Sequence, residues 1–156
     1  MPRVVLDTSV LVAAFHSRRG ASLRLLSRIG TGTFEIAISV PLVFEYEDVL
    51  TRDLSEIGGP REEASAVIDY LCSVATRHEI FFLWRPVLRD PGDDLVLETA
   101  VAGGCDVIIT HNVRDYDRAR RFGIRALSPG AFLNELEGGN DRSEFTSARV
   151  STPQAR

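Results

Sequence analysis

Hydrophobic residues along the chain form two kinds of pattern: short continuous runs, and stretches in which they recur every three or four positions. Continuous apolar runs bounded by turn residues are typical of strands that are buried on both faces. They predict strands at residues 3–7, 35–39, 80–84, 106–110 and 124–127. The helical spacing predicts helices at residues 8–15, 21–29, 41–51, 62–76, 94–102, 116–122 and 128–136.

Strands and helices alternate throughout this pattern, which is typical of a parallel sheet with helices on both faces. We therefore expect an α/β fold, a three-layer α/β/α sandwich around a mainly parallel, five-stranded sheet. The periodicity ends before Gly138, and the chain beyond it is polar. We expect one domain over residues 1–137 and a disordered polar tail over residues 138–156.

The chain has neither a membrane-spanning nor a secretory pattern. No apolar run approaches the roughly 20 residues that cross a bilayer. The N-terminal run at residues 4–6 meets Asp7 too soon for a signal peptide. These patterns predict a cytoplasmic protein with no membrane partner. The two cysteines, Cys72 and Cys105, lie in segments that look internal, and we expect buried free thiols rather than a disulfide or a zinc site.

Charge narrows the possible functions further. The formal net charge is −4, which argues against a protein that grips nucleic acid by bulk positive charge. The sequence contains no lysine, which excludes P-loop chemistry and argues against haloacid-dehalogenase phosphatases and receiver domains, because these rely on a lysine. A dinucleotide-binding fold would need glycines after the first strand, where Thr8, Ser9 and Val10 stand instead.

Acidic and amide side chains follow the predicted strands at one end. Asp7 ends the first strand, and Glu45 lies in the first turns of the helix after the second. Asp94 begins the helix that leads into the fourth strand, which Asn112 and Asp115 follow directly. Parallel strands place such residues at one edge of the sheet, where ligands bind. Oxygen ligands without sulfur or imidazole are typical of Mg²⁺ or Mn²⁺ sites.

Spacing alone leaves alternatives open at each of these positions. Asp7 precedes a helix and is equally suited to cap it. On a helical wheel Asp48 points away from the apolar side, whereas Glu45 and Glu47 both flank it. Asp90, Asp93 and Asp94 form a turn at the start of the helix that leads into the fourth strand. One of these acids is expected to cap the helix, and spacing does not choose between Asp93 and Asp94 as the ligand.

Three further residues are candidates for supporting roles. Ser9 and Thr110 lie at strand ends, where a hydroxyl can orient a carboxylate or form a local hydrogen bond to the backbone. Glu98 follows Asp94 by one helical turn, so it either joins the site or is a solvated helix residue.

Four segments together resemble the PIN-domain family, of the kind found as toxins in bacterial toxin–antitoxin pairs. They are residues 4–10, 39–50, 89–94 and 108–116, in the family's order. The resemblance implies that Asp7, Glu45 and Asp94 are the three principal metal-binding acids. Many family members carry Asp where this chain has Asn112, so the fourth role is assigned to Asp115 with Asn112 assisting.

The resemblance also implies a function. It predicts a ribonuclease in which Mg²⁺ or Mn²⁺ activates water to hydrolyse RNA, with a cognate antitoxin protein as partner and a homodimer as the assembly. The competing interpretation is a PIN-like module that has lost catalysis and only binds nucleic acid or protein. The presence of all three principal acids argues against that loss.

Overall fold

A computed structural model describes residues 1–17, 19–57, 61–80 and 87–147. The strands of these residues form one sheet: β1 (Arg3–Leu6), β2 (Glu35–Ile38), β3 (Thr76–Arg77), β4 (Val107–Ile109) and β5 (Arg125–Leu127). Their order is β3-β2-β1-β4-β5, and every neighbouring pair is parallel. The predicted α/β fold with a five-stranded sheet is confirmed.

Helices flank this sheet, as predicted. They are α1 (Thr8–His16), α2 (Ala21–Ser27), α3 (Val40–Ile57), α4 (Arg61–Val74), α5 (Pro91–Ala102) and α6 (Pro129–Ser147). A 3-10 segment, Val113–Phe122, connects β4 to β5 and is kinked at Tyr116. None of the helices among the described residues is long and apolar enough to cross a membrane.

Central strands are continuous apolar runs because both of their faces are covered. Val4, Val5 and Leu6 of β1 are fully buried, as is Ile108 of β4. Helix α5 packs against β1, β2 and β4. Burial on two faces removes the polar alternation of a half-exposed strand, which is why the sequence pattern located β1 and β4 correctly.

The third strand differs from its predicted position at residues 80–84. The structure has β3 at Thr76–Arg77, directly after α4, so helix α4 ends before the predicted limit at residue 76. Both β3 residues are exposed and polar, so a search for apolar runs misses this edge strand. Ile80 lies outside any strand, and residues 81–84 of the predicted strand lie outside the described residues.

The last helix is also longer than expected. Helix α6 continues to Ser147, which corrects the prediction that residues from 138 onward lack structure, and residues 148–156 lie outside the described residues. The predicted helix ended at residue 136 because apolar periodicity stops before Gly138, but hydrogen bonds along a helix do not need an apolar face. The prediction that both cysteines are buried is correct for Cys105 and wrong for Cys72, which is exposed.

Candidate functional site

The carboxyl edge of β1 and β4 brings the first site residues together. Asp7 directly follows β1 and Thr110 directly follows β4, and the Asp7 amide donates to the carbonyl oxygen of Ile109 at 2.9 Å. The chain runs outward from β1 to β2 and β3, then returns to the other side of β1 as β4. Open parallel sheets bind their ligands at such a reversal of strand order.

Asp7 is buried at this point, with 4% of its surface exposed. Ser9 Oγ and Thr110 Oγ1 each donate to its Oδ2 at 2.7 Å, and the Tyr116 hydroxyl donates to its Oδ1 at 3.1 Å. Although Asp7 precedes α1, its side chain makes no capping hydrogen bond. The carboxylate is therefore held by hydroxyls at the sheet edge, and the alternative of a simple helix cap does not describe it.

Ser9 and Thr110 perform both of the roles that the sequence left open. Besides donating to Asp7, Ser9 Oγ accepts the His111 amide at 3.1 Å and Thr110 Oγ1 accepts the Asn112 amide at 2.9 Å. Each hydroxyl gives its one hydrogen to the carboxylate and uses a lone pair for the backbone. The loop after β4 is thereby tied to Asp7.

Two acids at the start of α5 have structural hydrogen bonds. Asp90 caps α5, because its Oδ1 accepts the Gly92 amide at 2.7 Å. Asp94 is 2% exposed, and its Oδ1 accepts the amides of Leu88 at 2.9 Å and Val87 at 3.3 Å. Asp94 thus anchors the segment that precedes the helix, and its predicted role as a metal ligand stays a prediction.

Asp93, in the first turn of α5, is the acid that lies beside Asp7. Its Oδ1 accepts the Tyr116 hydroxyl at 3.0 Å, and Tyr116 also bonds Asp7. Burial and then the charge of Asp7 raise the pKa of Asp93 to about 6, with smaller contributions from the charges of Asp90 and Asp115, although the Tyr116 hydrogen bond lowers it. The charges of three neighbouring carboxylates therefore act on Asp93 at this edge.

Glu45 approaches the same helix end from α3. It is half-buried, whereas its neighbours Glu47 and Asp48 are exposed. A methyl group placed on Gly92 would lie 3.0 Å from Glu45 Oε1 and 3.2 Å from Asp90 Oδ1. Glu45 therefore reaches the amino end of α5, where the helix dipole favours a carboxylate, and its role as a metal ligand stays a prediction.

The remaining candidates lie at different depths. Asp115 and Asn112 are exposed after β4, and Asp115 is close enough for its charge to raise the pKa of Asp93. Glu98 is 4% exposed on α5, so it is not the solvated helix residue that was one alternative. Tyr116 is 1% exposed, and burial together with the charges of Asp7 and Asp93 raises its pKa.

These side chains have the chemistry of a site for a hard divalent cation. Carboxylate oxygens supply the donors, as Mg²⁺ and Mn²⁺ prefer. Within the described ranges, no group of three or more His, Cys, Asp or Glu side chains is already arranged to hold a metal ion. Carboxylates repel one another when no cation is between them, so we expect a bound metal to draw Asp7, Glu45, Asp93 and Asp115 closer together.

Asp93 was weighed against Asp94 and not chosen, and Tyr116 was not among the predicted site residues. Spacing left the two acids open because the phase of the first turn of α5 is unknown from the sequence and adjacent helix positions differ by about 100°, and the family resemblance then selected Asp94. Tyr116 was assigned only to a helix start. Its signal was an aromatic residue with a polar tip next to Asp115, since such a group normally finds a hydrogen-bond partner when buried.

Comparisons with solved structures support the fold. A structure of VapBC2 from Rickettsia felis bound to a DNA fragment from their promoter matches with 14% identity and a TM-score of 0.55, over 80% of this chain and 98% of that chain. VapBC-1 from nontypeable Haemophilus influenzae matches with 15% identity and a TM-score of 0.53, over 82% of this chain and 98% of that chain.

Sequence comparison identifies the family. A search of curated proteins gives no significant match. The sequence profile of the PIN domain matches residues 3–114, which include Asp7, Glu45, Asp93 and Asp94 and most of the sheet. This protein therefore belongs to the PIN-domain family.

Proposed function

We propose that this protein is a metal-dependent ribonuclease that hydrolyses phosphodiester bonds of RNA. The observation that carries the proposal is the meeting of Asp7 and Asp93 on one hydroxyl at the strand-order reversal, with the Asp115 charge nearby. A structural helix cap would not need a second, half-buried acid beside it. Because like charges raise each other's ionisation cost, such a grouping is characteristic of functional sites.

Asp7 and Glu45 are the proposed ligands from the first half of the chain. From the first turn of α5 the geometry favours Asp93, which lies beside Asp7, while Asp94, which the family resemblance favours, accepts two backbone amides on its Oδ1. Asp115 completes the proposed set from the rim. A bound Mg²⁺ or Mn²⁺ would supply an activated water and would offset negative charge on the scissile phosphate.

The protein's own residues prepare this edge for the reaction. Ser9 and Thr110 hold one oxygen of Asp7, which fixes the plane of the carboxylate and leaves Oδ1 on the side of Tyr116 and Asp93. Asn112 is exposed beside Thr110 and offers an amide oxygen without charge. We propose that Asn112 assists Asp115 and that Glu98, which is buried on α5, is a supporting acid.

The biological role we propose is that of the toxin in a bacterial toxin–antitoxin pair, silenced by a cognate antitoxin protein. Support comes from the ordered family motifs and from the VapBC assemblies of similar fold. We further propose a cytoplasmic homodimer. Growth arrest on expression of this chain alone, relieved by its antitoxin and accompanied by new RNA ends, is the expected result. Normal growth without new ends would contradict the toxin role.

Cleavage itself is tested with purified protein and single-stranded RNA. We expect cutting with Mn²⁺, none with EDTA, and none by Asp7→Asn with Mn²⁺, because that change removes a ligand charge while keeping the size of the side chain. Circular dichroism confirms that the variant is folded. Full activity of folded Asp7→Asn would refute the mechanism. RNA binding without cleavage by the parent protein would instead favour the inactive binding module.

A further inference from the structure

Tyr116 occupies an unusual place in the site. It lies at the kink of the 3-10 segment, and its side chain is 1% exposed. Its hydroxyl is 3.1 Å from Asp7 Oδ1 and 3.0 Å from Asp93 Oδ1. A buried phenol therefore stands between two carboxylates that come from opposite halves of the chain.

One hydroxyl has only one hydrogen to donate. Asp7 and Asp93 therefore share a single donor, which keeps one oxygen of each within hydrogen-bond reach of a common point. Ser9 and Thr110 both hold Asp7 Oδ2, whereas Asp7 Oδ1 accepts from Tyr116 at 3.1 Å and, at the longer distance of 3.4 Å, from Thr8 Oγ1. Without the shared donor, repulsion between the two partly desolvated carboxylates would push Asp93 away from Asp7.

We propose that Tyr116 is a positioning residue, whose hydroxyl holds Asp7 and Asp93 together so that the metal site is organised before the metal arrives. This inference rests on the proposed metal-dependent function. Each carboxylate oxygen has two lone pairs, so both can bind a cation while still accepting the hydroxyl. Partners that orient ligands in this way change metal affinity by about 10- to 100-fold when they are removed.

The other two tyrosines provide matched controls. Tyr46 is also 1% exposed, but its hydroxyl donates to the backbone carbonyl of Leu6. Tyr70 is 48% exposed and donates to the carbonyl of Ile29. Neither hydroxyl is bonded to a candidate ligand in these contacts. Tyrosine-to-phenylalanine changes at the three positions thus remove the same group from different partners.

The test is Mn²⁺ affinity, measured by titration calorimetry on the folded, metal-free proteins. We expect Tyr116→Phe to weaken Mn²⁺ binding by about 10-fold, and Tyr46→Phe and Tyr70→Phe to stay within about twofold of the parent. Phenylalanine keeps the ring that packs in the core, so the fold should survive. As a second measurement, Mn²⁺ should perturb the near-ultraviolet difference spectrum of the parent and of Tyr46→Phe, but not that of Tyr116→Phe.

A double-mutant cycle separates positioning from general stability. In an Asp93→Asn background, Tyr116 no longer has two charged ligands to hold together. Adding Tyr116→Phe to this background should therefore weaken Mn²⁺ binding further by less than about twofold. A full 10-fold further loss in that background, an unchanged affinity in Tyr116→Phe alone, or an equal loss in Tyr46→Phe would each overturn the inference.

The two proposals fail in different ways. If the parent binds Mn²⁺ in the expected Tyr116-dependent manner but never cuts RNA, the ribonuclease function is wrong and the positioning role stands. If the parent cuts RNA with Mn²⁺ while Tyr116→Phe binds the ion as tightly as the parent, the positioning role is wrong and the ribonuclease function stands.

Discussion

At the scale of single residues, three acids within five positions are used in three different ways. Asp90 caps α5, Asp93 lies beside Asp7 through Tyr116, and Asp94 anchors the preceding segment by two backbone amides. The same side-chain chemistry thus stabilises a helix, contributes to a site and orders a loop. Which role each acid takes depends on the direction in which its side chain leaves the start of the helix.

The neighbouring pair Asp93 and Asp94 is a direct test of this division. Asp93→Asn should raise the stability of the metal-free protein by about 1 kcal/mol, because it removes a like charge, and should reduce the rise in melting temperature caused by Mn²⁺. Asp94→Asn should cost about 1 kcal/mol, since its amide acceptor bonds are weaker without charge, and should keep the Mn²⁺ response. Thermal melts of both variants with and without Mn²⁺ measure the stability and the metal response. If Asp94→Asn lost the Mn²⁺ response and Asp93→Asn kept it, Asp94 would be the ligand.

The raised pKa of Asp93 predicts a pH dependence of stability without metal. Its value of about 6, against 3.8 ordinarily, means that ionisation is unfavourable in the fold. The penalty is complete above about pH 6, decreases as pH falls through that value, and is absent below about 3.8. When the pH is lowered from about 8 to about 5, the free energy of unfolding of the parent should rise by roughly 1 kcal/mol relative to that of Asp93→Asn, after a discount for solvent screening.

Denaturant unfolding in EDTA measures this difference. Asp93→Asn is the reference, because every other titrating group is common to both proteins. If the difference in free energy of unfolding between the parent and the variant stayed constant over this pH range, the raised pKa of Asp93 would be contradicted.

At the scale of elements, α5 links the site to the sheet, and Gly92 permits the close approach of Glu45. Alanine suits this helical position and should favour the helix by up to about 1 kcal/mol. Its methyl group would, however, lie 3.0 Å from Glu45 Oε1. We expect Gly92→Ala to fold normally and to weaken Mn²⁺ binding several-fold, because the Glu45 carboxylate must move away.

Helix α6 offers the matched control. It also begins with proline followed by glycine, but a methyl group on Gly130 would meet only Ala21 Cβ, at 3.9 Å. Gly130→Ala should therefore give the same helical gain with unchanged Mn²⁺ affinity. Equal effects of the two changes on Mn²⁺ affinity would exclude a specific approach of Glu45.

The sequence predicted the elements and the edge where the site lies, but not every side chain in it. Buried strands such as β1 were predictable because two-sided burial demands a continuous apolar run. Strand β3 was not, since its two exposed residues gain their structure from pairing with β2. Asp7 and Glu45 follow from topology and family motif, whereas Asp93 and Tyr116 required the rotation of α5 and the kink after β4.

At the scale of the whole molecule, the body of the fold extends to the first part of α6. Phe132 packs edge-to-face on Phe34 with ring centroids 5.4 Å apart, and Glu137 pairs with Arg28 at 2.9 Å. A methyl group on Gly138 would meet nothing within 4 Å. Contacts that tie the helix to the body are thus in place before residue 138.

Truncation after Gly138 should consequently change the free energy of unfolding by less than about 0.5 kcal/mol, and RNA cleavage should persist. Melting temperature and cleavage rate are the measurements, and Phe132→Ala in the full chain is the comparison, with an expected loss of about 3 kcal/mol or more. A truncated protein as unstable as Phe132→Ala would show that the later turns of α6 are needed.

The pairing of β1 with β4 has a consequence for synthesis on the ribosome. Asp7 emerges early, but Thr110 and Tyr116, which hold its two oxygens, lie 103 and 109 residues later in the chain. A nascent chain that has not yet released β4 carries the first acid with neither of these partners. In the proposed ribonuclease, cleavage of the message being translated is therefore not expected until most of the domain has been made and folded, so the order of synthesis itself would delay the activity.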